Sequence, residues 1–140
     1  MGSDHLPSAV SAKEIDEYVK SEMGASATTE RVHQGFARCV TPYELCGLRP
    51  GGYISGPTIM QLSDLAAWVA VFTHAGIVPM AVTWDLHVTF LRPAIGGDLI
   101  AEATVNKFGR MTQITVMIYV SPDESKPVAT ASVTYAVPSR

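Results

Sequence analysis

The feature that most constrains the fold is an apolar helix in the middle of the chain. In residues 58–74, apolar side chains are distributed around nearly all sides of the predicted helix. Pro57 precedes this segment, where a first helical turn tolerates proline, and Gly76 follows it. A helix that is apolar on every side cannot lie on a protein surface, so the rest of the chain has to wrap around it.

Downstream of this helix, apolar residues recur at every second position, which is the period of a strand. Apolar and polar side chains alternate through residues 82–90, and three further strands are predicted at residues 99–108, 112–120 and 128–137. Short connections join the last three of these strands, which favours an antiparallel meander.

Two elements are predicted upstream of the apolar helix. Ser11 and Glu14 form a capping box that begins a short amphipathic helix, and Gly24 ends it. Residues 25–30 are predicted to be a loop, and residues 33–44 an irregular strand. The chain is therefore predicted to be an α+β protein, with a curved antiparallel sheet wrapped around a long central helix.

The composition suggests that part of the surface is covered. The chain has 140 residues, of which 47% are apolar and 16% are charged, whereas globular proteins have about 25% charged residues. We expect residues 1–10 to be a flexible segment and residues 11–140 to form a single domain. A domain of this size has much surface for its volume, so a low charge content indicates either a surface rich in Ser, Thr and Gly or a surface that is partly buried by a partner. We expect the second, a homo-oligomer.

Several classes of protein are not expected. With a net charge of −3, the chain is not expected to present the lysine- and arginine-rich surface that binds nucleic acid. The longest apolar run, residues 65–72, is too short to span a bilayer, and the N-terminus has no secretory pattern. Cys39 and Cys46 provide no disulfide framework, which favours a reducing, cytoplasmic location. The histidines lack the spacing of metal ligands, so no metal site is expected.

Asp64 is the most informative candidate residue. It lies in the middle of the predicted helix, near Met60 and Trp68, where a carboxylate is costly unless it has partners or a function. One interpretation is an exposed stripe that Asp64 shares with Gln61 and Ser63. The other is a general base or nucleophile in a partly apolar site.

A second candidate is the start of the same helix. Gly56 lies at the predicted N-terminus, where free N–H groups can polarise a carbonyl oxygen, and Ser55 is a suitable N-cap. The alternative is an ordinary capped helix start.

The chain resembles the hot-dog fold acyl-CoA thioesterases, specifically the phenylacetate-pathway and hydroxybenzoyl-CoA type, over residues 35–138. This family has a His-Gly-Gly stretch at the helix start and an acidic residue eight positions after its first glycine. Ser55, Gly56 and Pro57 occupy that stretch here, and Asp64 lies eight residues after Gly56. The segments VTWDLHVTFLRPAIGGDLIAEATV, VNKFGRMTQITVMIYV and KPVATASVTYAV match the family's later strands and turns.

The resemblance implies a dimer that forms edge to edge through residues 83–90, with active sites at the interface. Asp64 would be base or nucleophile, the Gly56 N–H of the partner would polarise the thioester carbonyl, and Thr83 would orient water. Pairs of dimers would form a tetramer. Coenzyme A would enter only as part of the acyl-CoA substrate, with no separate cofactor. The expected substrate contacts are Arg49, Tyr53, Ser55, Gln61, Trp68 and the hairpin residues Gly109, Arg110 and Met111.

Two positions depart from the family pattern. Ser55 replaces the usual histidine, and Arg49 stands where an asparagine or glutamine is frequent. These differences keep a second hypothesis open, a non-catalytic protein that binds acyl-CoA or fatty acid on the same scaffold. A hydratase or dehydratase is a third hypothesis, and it would need a histidine near the helix start.

Overall fold

The computed structural model describes residues 5–139, so residues 1–4 of the predicted flexible segment lie outside the described part. The described residues form two α-helices, eight strands and a short 3-10 helix. In chain order these are α1 Ala12–Met23, β1 Thr28–His33, β2 Phe36–Thr41, the 3-10 helix Tyr43–Leu45, β3 Leu48–Arg49, β4 Tyr53–Ile54, α2 Gly56–Ala75, β5 Val82–Phe90, β6 Leu99–Lys107, β7 Met111–Val120 and β8 Ala129–Ala136.

Six strands form one antiparallel sheet in the order β1-β2-β6-β7-β8-β5, while β3 and β4 form a small separate pair. The meander predicted for the last three strands is confirmed. β5 is an edge strand, since its only partner among the described residues is β8.

Helix α2 packs against the inner face of this sheet. Its residues 66–73 are all buried, as the all-round apolar pattern predicts, while Met60 and Gln61 in its first half are exposed. Ser55 caps its N-terminus, and the N–H of Gly76 closes its C-terminus by donating to the carbonyl of Phe72. The sheet and α1, whose Tyr18 packs against Trp68 and Phe72, together cover the second half of the helix and leave part of the first half open.

Upstream of α2, one prediction is confirmed and one is wrong. Helix α1 begins at the Ser11 cap, whose side chain accepts from the N–H of Glu14, and ends at Gly24. The loop predicted at residues 25–30 is wrong, because strand β1 begins at Thr28. Residues 36–41 of the predicted irregular strand do form β2, and β1 and β2 are a hairpin that turns at Gly35 with φ of 83°. In the part of the chain that the structure describes, β1 pairs along one side only, and its irregular register at Thr29 weakens the alternation that would reveal it.

The described part of the N-terminal segment is hydrogen-bonded to the domain. The carbonyl of Leu6 accepts from Gln34 N–H, and Ala9 N–H donates to the carbonyl of Thr73, each at 2.9 Å. The boundary at residue 10 stays a prediction. Within residues 5–139, neither helix has the length and apolarity that crossing a membrane requires.

Candidate active site

The Asp64 side chain points from α2 towards strands β5 and β8. Its Oδ1 accepts hydrogen bonds from the hydroxyl of Thr83 at 2.7 Å and from the hydroxyl of Tyr135 at 2.8 Å. The Tyr135 hydroxyl also lies 3.1 Å from the backbone carbonyl oxygen of Asp64. The alternative of an exposed stripe is not found, because Ser63 is fully buried and donates to the carbonyl of Ile59.

Thr83 reaches Asp64 because of a bulge in β5. Thr83 pairs with Tyr135, but the next pair is Asp85 with Thr134, which leaves Trp84 as the extra residue. A bulge changes which residues of a strand share a face. Thr83 therefore faces inward with Leu86, although strict alternation would place it outward with Asp85.

Four of the predicted site residues share one open cavity of about 720 Å³. They are Asp64, Gln61, Trp68 and Thr83. Helix α1 supplies one wall of this cavity, and the rest is largely apolar. The charged groups among the described lining residues are the carboxylates of Asp64 and Glu22, with no lysine, arginine or histidine.

Tyr135 belongs to this group but was not among the predicted site residues. It is only 4% exposed, and burial, followed by the negative charge of Asp64, raises the pKa of its phenol far above the ordinary range. The phenol is therefore a donor at any physiological pH. The period of two in β8 could have indicated it, since a tyrosine on the inward face needs a partner for its hydroxyl.

The start of α2 lies in a different cavity of about 600 Å³. Gly56, Tyr53 and Arg49 line it together with Arg92, and its described lining residues include no carboxylate. Ser55 is engaged locally, because its Oγ accepts from Thr58 N–H and shares a 2.8 Å hydrogen bond with the Thr58 hydroxyl. Positive and negative side chains are thus separated between the two cavities of one chain.

The predicted hairpin residues lie at the other end of α2. Gly109 and Arg110 line a third cavity of about 330 Å³ next to His74, and Met111 lies partly exposed on the adjoining strand. The ring of His74 stacks on Phe108 with centroids 4.6 Å apart, and burial lowers the pKa of this histidine. Within one chain, these residues do not meet Asp64. No three metal-ligating side chains cluster anywhere in residues 5–139.

A six-stranded antiparallel sheet wrapped around one long helix, with an acidic residue on that helix, defines a protein of the hot-dog fold. The family model of the thioesterase superfamily matches residues 51–126, which is more than half of the chain. The chain belongs to the thioesterase superfamily.

Solved structures and one curated relative agree with this assignment. The fold is similar to that of a presumed thioesterase from Silicibacter sp. TM1040, with a TM-score of 0.85, 24% identity and 97% of both chains covered. Thioesterase superfamily member 2 of zebrafish has a TM-score of 0.79 and 18% identity, over 93% of this chain and 100% of that one. A presumed esterase of Thermoplasma volcanium is 26% identical over 91 residues, or 64% of this chain and 68% of that protein. Family membership supports thioester hydrolysis as the class of reaction.

Proposed function

We propose that the protein is an acyl-CoA thioesterase that hydrolyses a small to medium aryl or aliphatic acyl-CoA to the free acid and coenzyme A. The observation that carries this proposal is the Asp64 carboxylate in a largely apolar cavity, with one oxygen fixed by two hydroxyl groups. A carboxylate in such a place is suited to act on a substrate that enters the cavity.

The reaction needs one water molecule and no cofactor. With Asp64 as base, its free oxygen takes a proton from water as the water oxygen attacks the thioester carbonyl carbon. The carbon–sulfur bond then breaks, and the coenzyme A thiolate leaves and takes up the proton. With Asp64 as nucleophile, the carboxylate attacks first, coenzyme A leaves, and water hydrolyses the resulting anhydride. Both routes need a donor for the oxygen that becomes negative.

The Gly56 N–H is the proposed donor, and helix geometry favours a second protomer as its source. N–H groups in the first turn of a helix have no partner within it. Eight residues at a rise of about 1.5 Å separate Gly56 from Asp64 by about 12 Å along the axis. A donor and a base at opposite sides of one carbonyl group need to be closer than this, so Asp64 of one protomer would work with Gly56 of another.

The edge of the sheet offers a place for that second protomer. Within residues 5–139, β5 has no partner strand along one side, and it carries large exposed apolar side chains, namely Val82, Trp84 and Phe90. An exposed apolar edge strand invites pairing with another chain. We therefore propose a homodimer through residues 83–90. Its pairing into a tetramer and a cytoplasmic location follow the sequence predictions.

The charges of the two cavities support the substrate class. Because the Asp64 cavity has carboxylates and no cation among the described lining residues, it favours an uncharged acyl group beside Trp68. Because Arg49 and Arg92 line the Gly56 cavity, that cavity suits the phosphates of coenzyme A.

A non-catalytic binding protein is the second candidate. It is favoured by Ser55, whose hydroxyl caps the helix and is held by Thr58 instead of facing a ligand. Such a protein would bind acyl-CoA through the same cavities without releasing coenzyme A.

Release of coenzyme A tests both candidates. Purified protein is incubated with acetyl-, hexanoyl-, decanoyl-, benzoyl- and phenylacetyl-CoA, and the freed thiol is followed with a chromogenic thiol reagent. We expect turnover that falls about 100-fold or more in Asp64→Asn. Asp123→Asn, in an exposed loop, is the matched control and should retain full activity. Tight binding of acyl-CoA without turnover by the wild type would select the binding protein instead.

A further inference from the structure

Tyr135 connects the sheet to the candidate catalytic helix. It lies on β8 between Thr83 of β5 and Thr112 of β7, and all three side chains lie at one level of the sheet. Its hydroxyl is within hydrogen-bond distance of both the side-chain and backbone oxygens of Asp64. A single phenol thus fixes the carboxylate relative to the helix that carries it.

The two hydroxyl donors use the same oxygen of Asp64. A carboxylate oxygen has about two lone-pair sites, and Thr83 and Tyr135 occupy those of Oδ1. Among the described residues, Oδ2 has no hydrogen-bond partner. The two oxygens of this carboxylate are therefore unequal before any substrate arrives.

We propose that Tyr135 is a positioning residue that, together with Thr83, anchors Oδ1 of Asp64 and leaves Oδ2 as the reacting oxygen. This inference rests on the proposed function and extends it to a residue outside the predicted site. Tyr135 acts through Asp64 and does not itself contact the reacting atoms.

The surroundings make these two donors important for the charge of Asp64. The titratable groups that share the cavity are Glu22 and Tyr18 of α1 and Tyr135 of β8, while the lining residues of α2 and β5 are otherwise uncharged. No cation among the described lining residues offsets a negative charge there. Hydrogen bonds from the two hydroxyl groups therefore stabilise the negative charge of Asp64 where no lysine, arginine or histidine does so.

The test compares Tyr135→Phe with Tyr119→Phe, a matched change on the outer face of the same sheet, away from Asp64. For Tyr135→Phe we expect kcat to fall about tenfold or more while KM changes by less than about threefold. Circular dichroism should show that the variant is folded like the wild type, so that the lower kcat reports a misplaced carboxylate. The control should leave kcat and KM unchanged.

Thr83→Val provides a second variant should Tyr135→Phe fail to fold, because it removes the other donor to the same oxygen. It should also lower kcat with little change in KM, whereas Thr83→Ser keeps the hydroxyl and should restore kcat. An unchanged kcat in folded Tyr135→Phe and Thr83→Val would overturn the inference, and so would a lower thermal stability with kcat intact. Failure of the wild type to hydrolyse any acyl-CoA would instead refute the proposed function, so the two failures are distinguishable.

Discussion

A shared active site predicts that two inactive variants restore each other's activity. Asp64→Asn removes the proposed base or nucleophile, and Gly56→Pro removes the proposed N–H donor at a position where a helix tolerates proline. An ideal Cβ at Gly56 would lie 3.4 Å from the Phe90 ring, which a small shift accommodates. Gly56→Ala adds the same Cβ but keeps the N–H, so it is the matched control.

The fraction of activity that should be recovered follows from how the two substitutions are distributed between the sites of a mixed dimer. If Gly56 and Asp64 of one chain, about 12 Å apart, belong to different sites, a mixed dimer contains one site with both lesions and one intact site. Random pairing of equal amounts makes about half of the dimers mixed, so about a quarter of all sites are intact. Each variant alone should lose about 100-fold or more of kcat.

The assay is coenzyme A release after the two variants are unfolded together and refolded, or after coexpression with different affinity tags. We expect recovery to about one quarter of wild-type kcat per chain. A mixture that shows only the mean of the two separate variants would place both groups in one chain and refute the shared site. Refolding either variant alone must give no recovery.

Three further predictions concern stability, thiol reactivity and selectivity. Gly97→Ala would place a methyl group against the carbonyl oxygen of Ser121 and disturb the hydrogen bonds at the start of β6. We therefore expect the free energy of unfolding to fall by roughly 2–5 kcal/mol and the thermal midpoint to fall by about 10 °C. Gly109→Ala, whose Cβ meets nothing within 4 Å, should change the midpoint little. Burial raises the pKa of Cys39 to about 12, so its thiol should react with a thiol reagent only after unfolding, as a titration with and without denaturant would show. Glu22→Gln should raise kcat/KM for glutaryl-CoA about twofold to fivefold relative to hexanoyl-CoA, and an unchanged ratio would contradict a role of Glu22 in charge selection.

Much of the fold could be predicted from the sequence because its strongest signals are local. The apolar helix, its Ser55 cap and the meander of β6 to β8 depend on periodicity and on capping chemistry within a few residues. The hairpin of β1 and β2 was missed because β1 pairs only with β2 and has an irregular register, so burial imposes a weaker pattern on it.

Individual residues of the candidate site could be singled out from the sequence, but which of them lie close together could not. Asp64 stands out because it interrupts an apolar helix, and Gly56 because it begins one. Tyr135 was missed because its role depends on the register between distant strands. Strict alternation would place the Thr83 side chain on the outer face of the sheet, whereas the bulge at Trp84 turns it inward. A bulge depends on how two strands pair, so no single residue in the sequence reveals it.

The same bulge connects the candidate site to the candidate interface, and this connection gives the last prediction. Thr83 turns inward to Asp64, while its neighbour Trp84 is 71% exposed on the free edge of the sheet. A partner that pairs with this edge would hold β5 in place and, with it, the Thr83 hydroxyl. Trp84→Lys should therefore shift the dimer towards monomer and lower kcat per chain, with activity that recovers as the protein concentration rises.

Light scattering after size-exclusion chromatography, together with coenzyme A release over a hundredfold range of protein concentration, would measure both effects. Leu6→Lys is the control, because Leu6 is 62% exposed but bonds to the turn between β1 and β2, which lies beside the opposite edge of the sheet. A monomeric Trp84→Lys protein with full activity would separate assembly from catalysis and contradict the shared site. A dimeric protein with normal activity would place the interface elsewhere. We expect the fraction of dimer and kcat per chain to fall in proportion, because the proposed interface uses the same edge strand that carries Thr83.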